Sequence, residues 1–380
     1  MPKKKPNGEG TIFRRADGRW AGSATLDWQG GKQRRKYVYG RTRREAHGKL
    51  TTLLDAQQAG RVIPTGKQTL EQFLNRWLED VVRPSVRPYT HDSYAQLVRL
   101  HISPALGTTR LDKLTPQSVQ VLLNQKRKDG LSPRTVQYLR TVLRLALSQA
   151  LKWDLVSRNV AALTNPPHVP KTEITPFGPG ELKTFLKAVE DEPLEALFVV
   201  TATAGLRRGE VLGLLWDNVD FKKGQIQVRH AVQRIDGKLR LVETKSARSR
   251  LVELTTLAIE ALTRHRRRQL EQRLAAGKSW QDFDYVFTNR KGTPLEARTV
   301  WRAFKRILAK AGLRDQRFHD LRHAAATLML SEGVNPKVVA EMLGHSKIAV
   351  TMDLYSHVTP TMQVDAVARI DAALGTSRRG

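Results

Sequence analysis

RFHDLRHAAATLML, from Arg317 to Leu330, reads as the start of a helix that turns apolar after its first turns. His319 and Arg322 are three residues apart and share one helix face, with His323 beside them, while the alanines and leucines that follow belong against a core. A cationic cluster where a chain enters an apolar interior fits an anion site. Taken alone, such residues are more often solvated or hydrogen-bonded structural ones, since unpaired buried charge is scarce. The rest of the chain has to decide between the two.

Composition narrows the partner. Lys and Arg total 65 against 36 Asp and Glu, a net charge of +29, far beyond what solubility needs. Such an excess calls for a polyanion, and nucleic acid is the foremost candidate. Membrane surfaces are also anionic, but no apolar run approaches the roughly 20 residues that span a bilayer. The opening MPKKKPNGEG lacks the apolar centre of a signal peptide, so a cytoplasmic protein with no membrane partner is expected. The absence of cysteine removes disulfides, thiolate nucleophiles and Cys-ligated zinc. At 380 residues the chain exceeds one typical core, and two or three domains are expected.

Punctuation along the chain supports three. In GTIFRRADGRWAGSATLDWQGGKQRRKYVYG, β-formers alternate with polar and cationic residues, and Asp17-Gly18 and Gly30-Gly31 are turn signals, which predicts a three-stranded antiparallel sheet. Thr42 and Glu45 then match a capping box, and Ala46, Leu50, Leu53 and Leu54 form a helical stripe that can cover one sheet face. The first 60 residues carry 14 Lys and Arg against 5 Asp and Glu, so the other face is either a groove-binding basic surface or a solvated one. Pro64 and Gly66 mark a linker, and from Thr69 to about Asn165 the pattern is all helix, with Thr115-Pro116 and Ser132-Pro133 as helix starts. NPPHVPKTEITP is a second, Pro-rich linker. Beyond it lies a mixed, mostly helical region around a short β segment, with Asp236-Gly237 and SARS as turn candidates. The expected division is 1–62, 67–165 and 172–380.

Three further segments join the opening one. In GLRRGEVLGLLWDNVD, Glu210 sits one helical turn after Arg207, where it can orient a guanidinium. In ETKSARSRL, Lys245 stands at a strand end beside a tight turn, and Lys238 is near enough to compete for the same role. In LGHSKIAVTMDLYSH, Gly344 ends one helix, His345 follows, and Tyr355 lies ten residues on in the next. Taken singly, each has an ordinary reading as a surface pair, an exposed turn lysine or a core tyrosine.

Their order and spacing together resemble the tyrosine recombinase, or phage integrase, family, and the resemblance runs along essentially the whole chain. It implies a multidomain α+β fold: an N-terminal arm-type DNA-binding domain of three-stranded sheet plus helix, a helical core-binding domain, and a mostly helical catalytic domain with a small antiparallel sheet and a C-terminal tail helix. The catalytic residues it implies are Arg207, Lys245, His319, Arg322, His345 and Tyr355. Tyr355 would be the nucleophile, His319 the proton acceptor, His345 a donor to the phosphate and Lys245 the acid for the departing 5′ oxygen, with no metal, ATP or other cofactor.

The residue types suit that chemistry independently of the family. A phosphodiester gathers charge on its equatorial oxygens as a nucleophile enters, and planar, always charged guanidinium forks match those oxygens. The implied partners are double-stranded DNA at core and arm sites and three further copies of the chain in a DNA-bound tetramer, with DNA-bending accessory proteins as further candidates. Met362, Val367, Ile370 and Leu374 recur at near-helical spacing in the tail, which either docks on a neighbouring subunit or packs on its own domain. Two other functions would use many of the same features: a DNA-binding protein without catalysis, and a type IB topoisomerase.

Overall fold

A computed structural model describes residues 10–29, 32–58, 68–170, 175–244, 249–345 and 347–355, with residues 367, 370, 371 and 374 of the tail. The Gly30-Gly31 turn, the 62–67 linker, Lys245 with most of the SARS turn, and Met362 lie outside these. The chain divides into two compact units, Met1–Lys171 and Thr172–Gly380.

The first unit holds two separate apolar clusters. Strands β1 (Thr11–Arg14), β2 (Trp20–Gln29) and β3 (Lys32–Gly40) form an antiparallel sheet in that order, with the chain turning at Asp17-Gly18 between the first two. Helix α1 (Arg43–Gln58) lays Leu50 and Leu53 against Ala24, Ile12 and Val38. Its start differs slightly from a capping box: the Glu45 N–H donates to Thr42 Oγ1 at 3.1 Å, but the Glu45 carboxylate accepts from the N–H of Arg41, one residue early, at 2.9 Å. The sheet face away from α1 exposes Phe13, Tyr37 and Tyr39 beside Arg35, and the Arg15 guanidinium lies 5.2 Å from the Tyr39 ring centre. That face is aromatic as well as basic.

Four main helices follow: α2 (Leu70–Trp77), α3 (Pro88–Leu97), α4 (Pro116–Lys128) and α5 (Pro133–Lys152). Thr69, Thr115 and Ser132 cap α2, α4 and α5 with their side-chain oxygens. Helix α3 begins at Pro88, because proline at the first helical position is already set to a helical φ and has no N–H to leave unpaired. Both α2 and α3 run on through π-helical turns, Leu78–Val82 and Val98–Ile102. Each widened turn directly precedes an X-Pro pair, Arg83-Pro84 and Ser103-Pro104, where the proline ring would strike a carbonyl of a regular helix.

In the second unit, helix α6 (Pro179–Ala188) leads to α7 (Glu195–Ala204), EALFVVTATA, which is apolar on every side and correspondingly buried. Its Phe198 packs with Phe185, Phe304 and Phe318, with neighbouring ring centres 5.6–6.2 Å apart. After the short α8 (Arg208–Leu212), β5 (Gln225–Val228) pairs with β4 (Val219–Asp220) on one side and the later β8 (Arg250–Glu253) on the other in one antiparallel sheet. The hairpin β6 (His230–Ile235) and β7 (Lys238–Glu243), turning at Asp236-Gly237, is a separate two-stranded ribbon. Helices α9 (Thr256–Ala276) and α10 (Ala297–Lys310) precede the run that bears on function: α11 (Asp320–Ser331), α12 (Pro336–Leu343) and α13 (Ala349–Tyr355). Among the described residues no helix is long and apolar enough to cross a membrane.

Candidate active site

Helix α7 carries the chain through the core and stops at Gly205, whose φ of +66° is a left-handed conformation. A β-carbon there would also lie 2.2 Å from Leu343 Cδ2, so only glycine fits this approach of α7 to α12. Two residues on, Arg207 is the N-cap of α8. Its N–H donates to Glu210 Oε2 at 3.0 Å and its Nη1 to Glu210 Oε1 at 2.7 Å, the pairing that the one-turn spacing predicts.

Glu210 is buried and serves a second arginine. Arg250, the first residue of β8, donates from Nη1 at 3.2 Å and Nη2 at 2.7 Å to the same carboxylate. Burial alone would raise the Glu210 pKa; the bonds and charge of Arg250, and then those of Arg207, outweigh it and bring it down to about 2.

The C-terminus of α12 gathers the cations. Its carbonyls lack intrahelical partners and carry the negative end of the helix dipole. Met342 O accepts from Arg250 Nε at 2.8 Å, Leu343 O from Arg322 Nη2 at 2.6 Å, and Gly344 O from Arg207 Nη2 at 2.8 Å. Three successive carbonyls thus hold three arginines from remote parts of the chain. Arg322, only 2% exposed, also donates from Nη1 to Gly205 O at 2.7 Å. Burial, then the charges of Arg207 and Arg250, push its pKa down to about 9, which leaves it charged at neutral pH. It is the floor of the site, and Arg207, whose side chain is 40% exposed, is the open side.

The histidines stand around these arginines. His319 is the N-cap of α11, and the neighbouring Arg317 clamps that helix start by bonding Asp320 through both backbone and guanidinium. The rings of His319 and His323 meet edge to face, 4.9 Å between centres. His319 is pulled down to about 4 by loss of hydration, then by His323 and the Arg322 charge; it sits at the exposed rim, where solvent screens these charges more than deeper in. His345, half-buried just after Gly344, is lowered to about 4 by burial and then by Arg322 and Arg207. Its Nδ1 is 2.8 Å from the hydroxyl of Thr351, which is fully buried in α13. A hydroxyl that donates to Nδ1 leaves the ring proton on Nε2, free to face an anion.

Of the six residues singled out from the sequence, Arg207, His319, Arg322 and His345 converge here. Tyr355 is the last residue of α13, a helix packed on α11 and α12; its side chain and all of Lys245 lie outside the described residues. Sequence reasoning missed Arg250 and Thr351. The signal that could have pointed to a second arginine was Glu210, an acid beside the apolar run VLGLL, and Thr351 is a polar residue next to Ala349, Val350 and Met352.

Comparison with known proteins identifies the family. A profile described as "Phage integrase family" matches residues 178–362, and one described as "Phage integrase, N-terminal SAM-like domain" matches residues 69–127. The chain is 31% identical over 364 residues to a "Tyrosine recombinase XerC-like" of Caldanaerobacter subterraneus, covering 90% of this chain and 93% of the relative. It is 31% identical over 385 residues to an "Integrase" of Streptomyces ambofaciens, covering 97% of each. The fold is shared with the Tn1549 transposon integrase in complex with a circular intermediate DNA, at a TM-score of 0.67 and 21% identity over 80% of this chain and 99% of that one. It is shared also with a lambda integrase dimer bound to a COC′ core site, at a TM-score of 0.57 and 17% identity over 93% and 96% of the two chains. The chain belongs to the phage integrase family of tyrosine recombinases, enzymes that cut and rejoin DNA strands.

Proposed function

We propose that this recombinase is a site-specific integrase that moves a mobile element or prophage into and out of a host chromosome, and that Tyr355 is its nucleophile. The observation that carries the residue assignment is the meeting of Arg207, Arg322, His319 and His345 around the C-terminus of α12, one short helix before Tyr355. Arg207 and Arg250 share the one buried carboxylate that they bond among the described residues, Glu210, and Arg322 bonds the Gly205 and Leu343 carbonyls, so the cluster carries an excess of positive charge that suits an anion.

In the proposed reaction the Tyr355 phenol oxygen attacks a backbone phosphorus in line and the bond to the 5′ oxygen breaks. His319, neutral at physiological pH, takes the phenol proton, and Lys245 gives a proton to the departing 5′ oxygen. Arg207, Arg322 and His345 hold the non-bridging oxygens as their charge grows. The 3′-phosphotyrosyl linkage keeps the energy of the broken bond, so a partner strand's 5′ hydroxyl reseals it by the reverse step, without ATP or metal.

The three segments have separate tasks in this reading. Residues 1–62 bind arm-type sites, 67–165 the core site, and 172–380 do the chemistry, in a tetramer on double-stranded DNA in the bacterial cytoplasm, with DNA-bending accessory proteins assisting. The exposure of Val367, Ile370 and Leu374 supports a tail that docks on a neighbouring subunit. Tyr355→Phe tests the core of the proposal: the variant retains DNA affinity and forms no covalent complex on a nicked suicide substrate. A persisting adduct refutes the assignment.

A further inference from the structure

We propose that Arg250 is a positioning residue for the reaction. It locks Arg207 through the shared Glu210 carboxylate and locks the segment that starts at His345 through the Met342 carbonyl, so that phosphate-binding groups from two remote parts of the chain keep one geometry. The inference rests on the catalytic reading of Arg207 and His345 given above.

Four observations support it. The Arg250 side chain is 13% exposed, turned inward, and directs its bonds to protein groups. Its three nitrogens are divided between two elements: the Nη1 and Nη2 fork meets Glu210 on α8, and Nε meets Met342 O at the end of α12. Its side chain also packs against Gly344, where an added β-carbon would come within 3.0 Å of Nη1, 3.1 Å of Cζ and 3.2 Å of Cδ. Finally, Arg250 is fixed from its own side, because it opens β8 and pairs in register with Val228 of β5.

The choice of residue follows from geometry. A carboxylate in a neutral interior would stay protonated or swing toward a single partner; the Arg250 fork holds it flat and charged, with one edge left for Arg207. Lysine has one nitrogen and cannot span Glu210 and Met342 together. Arg207 itself is half-exposed on the side that meets substrate, so without the fork its carboxylate anchor would be free to turn. The same side chain braces the helix end from which His345 projects.

A structural ballast and a positioning residue differ in how their loss combines with loss of Arg207. The test measures the rate of covalent adduct formation by the full chain on a nicked suicide duplex at saturating protein, for Arg250→Gln in the wild-type and Arg207→Ala backgrounds, with duplex affinity and thermal unfolding recorded alongside. We expect Arg250→Gln to slow the adduct about 100-fold in the wild-type background, with duplex affinity within about threefold, and to add less than about tenfold in the Arg207→Ala background. A loss below about tenfold in the first, or above about tenfold in the second, overturns the proposal. If Arg250→Gln does not fold, Arg250→Lys, which keeps a charge against Glu210, carries the same cycle under the same criterion. Failure of the underlying reading has a separate signature, an adduct that persists in Tyr355→Phe.

Discussion

Arg207 Nη2 donates to the carbonyl of Gly344, 2.8 Å away and 137 positions later in the chain. That bond ties the start of α8 to the end of α12, and beside it Arg322 and Arg250 make the equivalent bonds to Leu343 and Met342. Each guanidinium satisfies a carbonyl that its helix could not, and each is favoured by the dipole at that helix end. The charges are nevertheless unbalanced, since Glu210 is the one carboxylate bonded within this group among the described residues, by Arg207 and Arg250, while Arg322 bonds carbonyls. Such an excess of fixed positive charge favours an anion at the open side of the site.

Arg322 is where that excess is most deeply set. Arg322→Ala should slow adduct formation by about 10²- to 10³-fold, with duplex affinity changed by less than about tenfold. Arg322→Lys retains the charge but can serve only one of the Gly205 and Leu343 carbonyls, so a loss of about 10²-fold is expected there too. Suicide-substrate and gel-shift titrations measure the two quantities. Equal losses in both would reduce Arg322 to a contact with the DNA backbone.

Gly344 joins the stability of the site to its activity. With φ at +67° and Arg250 immediately beneath it, Gly344→Ala should lower stability by about 1 to 2 kcal/mol from the backbone alone. It should also displace the Arg250 guanidinium and slow cleavage. Urea unfolding and the adduct assay check both; an alanine variant as stable and as fast as the wild type would contradict the described packing.

With its hydroxyl donating to Nδ1, Thr351 would hold the His345 proton on Nε2. Thr351→Val keeps the shape of the buried side chain and removes the hydroxyl 2.8 Å from Nδ1. Adduct formation should fall by about tenfold, the scale of one lost hydrogen bond of about 1.4 kcal/mol. The imidazole nitrogen shifts of His345, read by NMR, should change tautomer. An unchanged tautomer and rate would release Thr351 from this role.

Acid should loosen the second unit in two stages. His345 has a folded pKa near 4, below its ordinary 6.5, so the unfolded chain binds the proton first. Its contribution is full above pH 6.5 and disappears as pH falls toward 4, on the order of 1 kcal/mol. His319 acts in the same direction and more weakly, because it is solvent-screened. Glu210, lowered from 4.5 to about 2, adds a loss that begins below pH 4.5 and is complete only below about 2. Urea midpoints measured between pH 7.5 and 4 should decline steadily; a flat profile would mean that the histidines are not held neutral.

Much of the fold was legible because the signals are local. A threonine that caps an N–H three residues on, as Thr69 and Thr115 do, needs no knowledge of the rest of the chain. The Asp236-Gly237 turn and the stripe of Ala46, Leu50 and Leu53 are of the same kind. The π-helical turns before Pro84 and Pro104 were not anticipated, although the prolines that go with them are in plain sight, because a proline signals a break without saying how the helix absorbs it.

Within the site, spacing carried the Arg207–Glu210 pair and the turn of helix shared by His319 and Arg322, since i, i+3 neighbours must meet on a helix. Spacing is silent about which guanidinium reaches which carbonyl. Arg250 is 40 positions from Glu210 and 92 from Met342, and Arg322 is 117 from Gly205. The sequence by itself determined the helices, the turns and the residue types able to hold an anion. Only the tertiary structure decided that three arginines cap one helix end and that two histidines stay uncharged beside them, because those outcomes depend on burial and on fields from charges brought together by folding.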